Sequence, residues 1–235
     1  MRAAGILFDK DGTLIDFQAT YGAVCVQIIR ELAEGDTECA ARLAEVAGFD
    51  LATQSFRDDS IIIAGSSATL AEAWAPHMGV AASPDLARRF DDMFSNYSSG
   101  RVMVFDCVGE VLGGLAARGL PLGIATNDSE AGGRVHAEIA GIASHFSFYA
   151  GHDSGYGAKP GPGMVMAFAE HCDSAAGEIV MVGDSLHDLE AARAAGAIAV
   201  AVTTGPAGRD ELAPRADHVI DSLTELESLP IFAPV

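Results

Sequence analysis

Residues 4–13 read AGILFDKDGT, a short apolar run that stops at Asp9-Lys10-Asp11-Gly12-Thr13. A parallel strand covered by helices on both faces is continuously apolar, so such a run predicts a buried strand. Its abrupt end in acids and a glycine delivers a polar loop to the carboxyl edge of the sheet. The pattern recurs at 120–126 (LPLGIAT), 146–150 (FSFYA), 178–182 (EIVMV) and 198–202 (IAVAV), and more weakly at 217–220 (DHVI). Helical stretches at 107–118, 129–140, 162–171, 186–195 and 222–228 lie between or after these runs. Strands alternating with helices of this length predict an α/β fold: βαβ units, a parallel Rossmann-like sheet and right-handed crossovers.

From Phe17 to about Gly100 the alternation stops. Helices are predicted over 18–34, 36–47, 67–78 and 84–96, the last opening at Ser83-Pro84-Asp85, a cap residue followed by proline at the first helical position. Ile61-Ile62-Ile63, ahead of Gly65-Ser66-Ser67, reads either as a strand or as a helix end and loop. The predicted organisation is an α/β unit of residues 1–16 and 100–235, interrupted by a helical insertion of residues 17–99.

Composition narrows the function. Of 235 residues, 49% are hydrophobic, which supplies a real core. Fourteen basic against 33 acidic side chains give a formal charge of −19. A chain this acidic repels phosphate backbones and anionic lipid, so neither nucleic acid nor membrane is an expected partner. No apolar stretch approaches the roughly 18 residues of a spanning helix, and the first residues lack signal-peptide features. Cys25, Cys39, Cys107 and Cys172 lack metal-motif spacing and read as reduced small hydrophobes in a cytoplasmic protein.

Four segments carry candidate chemistry. Asp9 and Asp11, at i and i+2 beyond a strand, can project to one side of a loop, and Gly12 permits close backbone approach. Alone, this also describes an acidic turn. Asp184 and Asp188, in Val182-Gly183-Asp184-Ser185-Leu186-His187-Asp188, stand one helical turn apart after another strand. Acids near a helix start also suit its dipole. Four carboxylates from two strand ends repel one another, with Lys10 and Lys159 as few partners, and a hard oxygen-seeking cation such as Mg²⁺ relieves that conflict. Thr126 and Asn127 end a strand where backbone amides open a helix, an oxyanion site or an ordinary cap. Lys159 lies in a loop stiffened by Pro160 and Pro162, as a point charge for phosphate or a plain surface lysine.

The order strand-DxDGT, strand-TN, loop-KPxP, strand-GDSxxD resembles the haloacid dehalogenase-like hydrolases over nearly the whole chain. The residues that carry the resemblance are Asp9, Asp11, Gly12, Thr13, Thr126, Asn127, Lys159, Gly183, Asp184, Ser185 and Asp188. The insertion resembles the helical cap of the phosphoglycolate phosphatase and β-phosphoglucomutase branch. The resemblance implies a nucleophile at Asp9, an acid and base at Asp11, and a phosphate clamp of Gly12, Thr126, Asn127 and Lys159. It also implies Mg²⁺ held by Asp9, the Asp11 main-chain carbonyl, Asp184 and Asp188. A retained Asp11 favours phosphoester over carbon–halogen cleavage, and the absence of lysine from 17–99 argues against the phosphonate-cleaving branch.

The function this implies is Mg²⁺-dependent hydrolysis of a small phosphorylated metabolite through an aspartyl-phosphate, by a monomer or homodimer. A phosphosugar mutase on the same scaffold and a non-catalytic phosphate or Mg²⁺ binder remain alternatives. Phe17 stands where relatives acting on small phosphates often carry a small polar residue, and reads as hinge or insertion core. Arg57 and the Gly65-Ser66-Ser67 loop are candidates to face substrate or solvent, and His152, Asp153 and Tyr156 read as rim residues. Asp16–Thr20 and Ser98–Val102, with Ser99 among them, are candidate hinges.

Overall fold

The computed structural model describes residues 3–57, 60–64, 66–98 and 100–232; Gly65 and Ser99, singled out above, lie outside them. In chain order, β1 (Gly5–Phe8) precedes α1 (Phe17–Leu32), α2 (Thr37–Ala47), β2 (Phe49–Asp50), β3 (Ser55–Phe56), α3 (Ile61–Ala64), α4 (Ser67–Met78) and α5 (Pro84–Ser98). Then follow α6 (Val108–Ala117), β4 (Leu122–Ala125), α7 (Glu130–Ile139), β5 (Phe148–Ala150), α8 (Gly163–His171) and β6 (Ile179–Gly183). The chain continues through α9 (Leu186–Ala195), β7 (Ile198–Val202), α10 (Arg209–Leu212) and β8 (His218–Ile220). It divides into two compact units, Met1–Asp16 with Met103–Val235, and Phe17–Val102. Among the described residues, no helix is long and apolar enough to cross a membrane.

The first unit holds six parallel strands in the order β5-β4-β1-β6-β7-β8. The expected α/β class and parallel sheet are therefore present. Alternate side chains build two apolar layers. Ile6, Phe8, Ile124, Val180 and Val200 share one with Leu112 and Leu115 of α6. Leu7, Met181, Ala199 and Ala201 share the other with Phe168 of α8 and Leu189 of α9. The chain builds outward from β1 in one direction through β4 and β5, then returns to β6 and builds the other way. Open α/β sheets bind ligands beyond the carboxyl ends of their strands at this reversal. Here it falls between β1 and β6.

One packing detail explains two glycines inside strands. A Cβ on Gly123 would lie 2.8 Å from the Phe168 ring and 3.0 Å from Leu7 Cδ1. On Gly5, in the neighbouring strand, it would lie 2.8 Å from Cys172 Sγ and 3.0 Å from the same ring. The missing side chains form the seat for Phe168.

The second unit is helical apart from β2 and β3, a short antiparallel pair. Its core centres on Trp74, whose indole Nε1–H donates to Leu43 O at 2.9 Å and whose ring meets Phe90 edge-on at 5.2 Å. Asp36 starts α2 by accepting from Glu38 N and Cys39 N, and Ser83 Oγ accepts from Leu86 N at the start of α5. Phe17 packs on Tyr21 and Phe56 within this unit.

One local expectation is corrected. Residues 222–228 form a 3-10 turn over Leu223–Ser228, not an α-helix. Pro230 biases Leu229 toward extended backbone (ψ 142°), so the helix has no room to lengthen. Of the two readings of Ile61-Ile62-Ile63, the structure takes the helical one, a single turn over Ile61–Ala64. The β2–β3 pair was not expected, because two residues per strand show no alternation.

Gly123→Val should destabilise the protein by about 1–3 kcal/mol in urea unfolding, through overpacking against Phe168. Adding Phe168→Leu should recover part of that loss. Strictly additive losses would refute the shared seat.

Candidate active site

Three strand ends and one loop bring the candidate residues to the carboxyl edge of the sheet. Asp9 follows β1, and its amide still donates to Val182 O of β6 at 2.8 Å. Thr126 follows β4 in the same way, donating from its amide to Ala150 O at 2.9 Å. Asp184 follows β6. Asp188 sits on the first turn of α9, where its Oδ2 accepts from Ser185 N at 3.1 Å and Ser185 Oγ at 2.6 Å. That reciprocal cap fixes both the helix start and the carboxylate.

Asp9, Asp184 and Asp188 converge, with a carboxylate oxygen from each within 4.8 Å of the others. Lys159 Nζ lies 2.5 Å from Asp9 Oδ1, 2.6 Å from Asp188 Oδ1 and 2.8 Å from Ala125 O. Three hydrogen bonds exhaust the donors of an ammonium. Asn127 holds that lysine's backbone from both sides: its Nδ2 donates to Lys159 O and its Oδ1 accepts from Lys159 N, each at 2.9 Å. Its amide thus braces the lysine loop. Thr126 Oγ1 accepts from Asp128 N at 3.0 Å, which leaves the hydroxyl proton to donate.

The loop after β1 does not run on extended. Gly12 adopts φ +77°, Leu14 N and Ile15 N both donate to Lys10 O, and Gly12 N donates to Ile15 O. This tight turn separates the two acids of the DxD pair. The Asp11 carboxylate lies outside the three-acid group and pairs through Oδ2 with Lys10 Nζ at 2.5 Å.

Asp184 is seated by glycines. A Cβ on Gly12 would lie 2.3 Å from its Oδ2, and one on Gly205 would lie 1.7 Å away. Thr13 Oγ1 donates to its Oδ1 at 3.2 Å. Thr204 Oγ1 donates to Gly12 O at 2.6 Å and ties the loop after β7 to the loop after β1. Sequence reasoning missed Thr204 and Gly205, although they follow an apolar strand at the same edge as the other motifs.

Burial dominates the electrostatics. It raises Asp9 to about 6; the Lys159 charge opposes the rise and the Asp188 charge adds to it. Asp184 is also pushed well up, by burial and then by Asp9 and Asp188. Burial works against the charge on Lys159, but Asp188 and Asp9 outweigh it and hold its pKa above the ordinary value. Three buried carboxylates facing one ammonium form an all-oxygen donor set with negative charge to spare. That set suits a hard divalent cation of the Mg²⁺ type.

The other candidates are occupied elsewhere. Arg57 donates to Glu45 Oε2 and O at the end of α2. Asp153 Oδ1 accepts from Glu130 N, and Tyr156 stacks on Phe148.

A model of the family described as haloacid dehalogenase-like hydrolase matches residues 3–196. A phosphoglycolate phosphatase of Escherichia coli (strain K12) is 35% identical over 120 residues, 51% of this chain and 48% of that protein. One of Chromobacterium violaceum is 36% identical over 146 residues, 60% of this chain and 63% of that protein. The chain spans about half the length of the first of these curated relatives. Among solved structures, a predicted phosphoglycolate phosphatase from Haemophilus somnus superposes with TM-score 0.72 at 20% identity, covering 97% of this chain and 98% of the other. A Deinococcus radiodurans family hydrolase with bound phosphate and sodium gives 0.67 at 24%, covering 96% and 94%. These two likenesses are of fold.

The Asp9 shift has a consequence for stability. An acid whose pKa is higher folded than unfolded stabilises the fold below its unfolded value, near 4, and loses that contribution as pH rises through about 6. In chelator, Asp9→Asn should therefore unfold several degrees above wild type at pH 7.5, on the order of 2 kcal/mol. The gap should close between pH 6 and 4. A gap independent of pH, measured by thermal denaturation, would contradict the assignment of buried charge to Asp9.

Proposed function

The chain belongs to the haloacid dehalogenase-like hydrolases, and on that premise we propose that it hydrolyses small phosphomonoesters through an aspartyl-phosphate on Asp9. The observation that carries this reading is the buried Asp9 carboxylate at the sheet reversal, held through Oδ1 by Lys159 with Asp184 and Asp188 beside it. A carboxylate nucleophile divides one difficult hydrolysis into two displacements.

In the first displacement an Asp9 oxygen bonds to phosphorus as the ester P–O bond breaks. Asp11 gives its proton to the departing alcohol oxygen. In the second, water attacks phosphorus, Asp11 takes a proton from it, and the Asp9–phosphorus bond breaks to release inorganic phosphate. Lys159, Thr126 Oγ1 and the backbone amides after Asp9 and Thr126 stabilise charge on the phosphoryl oxygens. Gly12 keeps the backbone low beside Asp184, and Asn127 holds Lys159 in register. Asp9, Asp184 and Asp188, with the Asp11 main-chain carbonyl, would hold Mg²⁺, which when bound supplies charge neutralisation between nucleophile and phosphate.

The names of the curated relatives make phosphoglycolate the first compound to test. Phe17 and Arg57 carry no substrate assignment: Phe17 packs on Tyr21 and Phe56 within the inserted unit, and Arg57 is an exposed side chain paired with Glu45 of the same unit.

Purified protein should release phosphate from p-nitrophenyl phosphate and from at least one member of a panel of sugar phosphates, nucleotides and phosphoglycolate. EDTA should stop turnover and Mg²⁺ restore it, with Ca²⁺ a poor substitute because it prefers more ligands and looser geometry. Asp9→Asn should lower kcat by about 10³-fold or more while remaining folded. Hydroxylamine should trap an acyl-phosphate in the wild type alone. Substantial turnover by Asp9→Asn would remove Asp9 as nucleophile, and no turnover of any compound would favour a phosphate-binding protein.

A further inference from the structure

The chain has only two lysines, Lys10 and Lys159, against twelve arginines. Both are buried, at 1% and 5% exposure. The Lys159 ammonium belongs to the three-acid group. The Lys10 ammonium faces a different set: Asp11 Oδ2 at 2.5 Å, His136 Nδ1 at 3.0 Å and Asp128 Oδ2 at 3.6 Å. An ammonium only donates, so His136 Nδ1 accepts and the ring proton sits on Nε2. Burial first, and then the Lys10 charge, hold the His136 pKa below its ordinary value against Asp11 and Asp128, which agrees with a neutral acceptor.

This contact joins three pieces of chain. Lys10 and Asp11 are in the loop after β1, Asp128 is in the loop after β4 that carries Thr126 and Asn127, and His136 is on α7. Burying an ammonium costs free energy that an apolar side chain of similar size does not incur. The arrangement also leaves Asp11 asymmetric. One oxygen is held by Lys10, while Oδ1 is buried with no hydrogen-bond partner. A buried carboxylate oxygen without a partner is costly, and its retention calls for a use.

We infer that Lys10, braced by His136 and Asp128, is a positioning residue that orients the Asp11 carboxylate for proton transfer at the substrate ester. The inference rests on the phosphatase reading above and adds residues to it. Lys10 fixes Oδ2 and so sets the direction of Oδ1, and it holds the Asp11 loop at a set distance from the loop bearing Thr126. Its effect should appear only where the departing group needs a proton.

The test compares p-nitrophenyl phosphate, whose phenolate leaves with little help, with the best alkyl phosphate from the panel. Lys10→Met should lower kcat for the alkyl phosphate at least tenfold further than for p-nitrophenyl phosphate, with KM changing less than kcat. General acid–base catalysis is worth about 10²–10⁴-fold, so a loss of this size is one of aim rather than removal. His136→Leu removes the acceptor and should show the same selective loss, whereas His136→Asn, whose Oδ1 can replace Nδ1, should restore it. If Lys10→Met does not fold, as judged by circular dichroism, the His136 pair decides. Equal losses on both substrates, or none, with an active wild type would overturn the inference and leave the phosphatase reading standing. A wild type inactive on every phosphate ester would sink that reading and this inference with it.

Discussion

Three carboxylates meet one ammonium at the end of the sheet, and the rest of the α/β unit is arranged so that this meeting can be buried. Asp9, Asp184 and Asp188 come from two adjacent strand ends, β1 and β6, and Lys159 is the cation between two of them. Left to themselves, such acids would separate or take up protons. They stay because each is gripped independently: Asp188 by the Ser185 cap, Asp184 by Thr13 and two glycines, and Asp9 by the ladder hydrogen bond that continues β1. The lysine is gripped as firmly, since Asn127 fixes its backbone and Ala125 O fixes its head. The repulsion is set into the sheet edge, where a hard cation would relieve it.

The sheet order supplies the place for this. The chain leaves β1 in one direction and returns to β6 to build in the other, and it is at such a reversal that open α/β sheets leave room for a ligand. Phe168 seals the face beneath by lying on Gly5 and Gly123, so β1 and β4 stay in register under the loops that carry Asp9 and Thr126.

Much of this was legible in the sequence. Buried parallel strands are continuous apolar runs, and the runs at 4–8, 178–182 and 198–202 match β1, β6 and β7 to within a residue at each end. The run at 120–126 overreached at both ends, because Pro121 and Thr126 flank the strand without joining it. Asp9 and Asp184 were readable because each follows an apolar run at the sheet edge, Asp188 by standing one helical turn from Asp184, and Lys159 by the two prolines that stiffen its loop. What was hidden depends on contacts between segments far apart in sequence. Nothing local shows that both ends of the Asn127 amide belong to Lys159, 32 residues on. Gly205 looked like a loop glycine, and only the folded chain places it against Asp184. The turn at Gly12 also defeated a simple alternation rule, since it sends Asp11 to Lys10 instead of to the acid group. In the inserted unit, β2 and β3 were too short to show a period; in the α/β unit, the run at 222–228 formed a 3-10 turn over Leu223–Ser228 instead of the α-helix its composition favoured.

The allocation of cations also decides how the protein meets amine-directed chemistry. Every exposed side-chain cation among the described residues is a guanidinium, while both primary side-chain amines are enclosed. Acylating or reductively alkylating reagents therefore find no lysine on the native surface, and an immobilisation strategy based on lysine coupling has nothing to grip. The same silence makes the two amines intrinsic reporters. Lys10 labels only when the loop after β1 lets go of α7, and Lys159 only when the acid group opens. Mass spectrometry of the two sites after a reagent pulse would thus record two separate opening events in one unaltered chain.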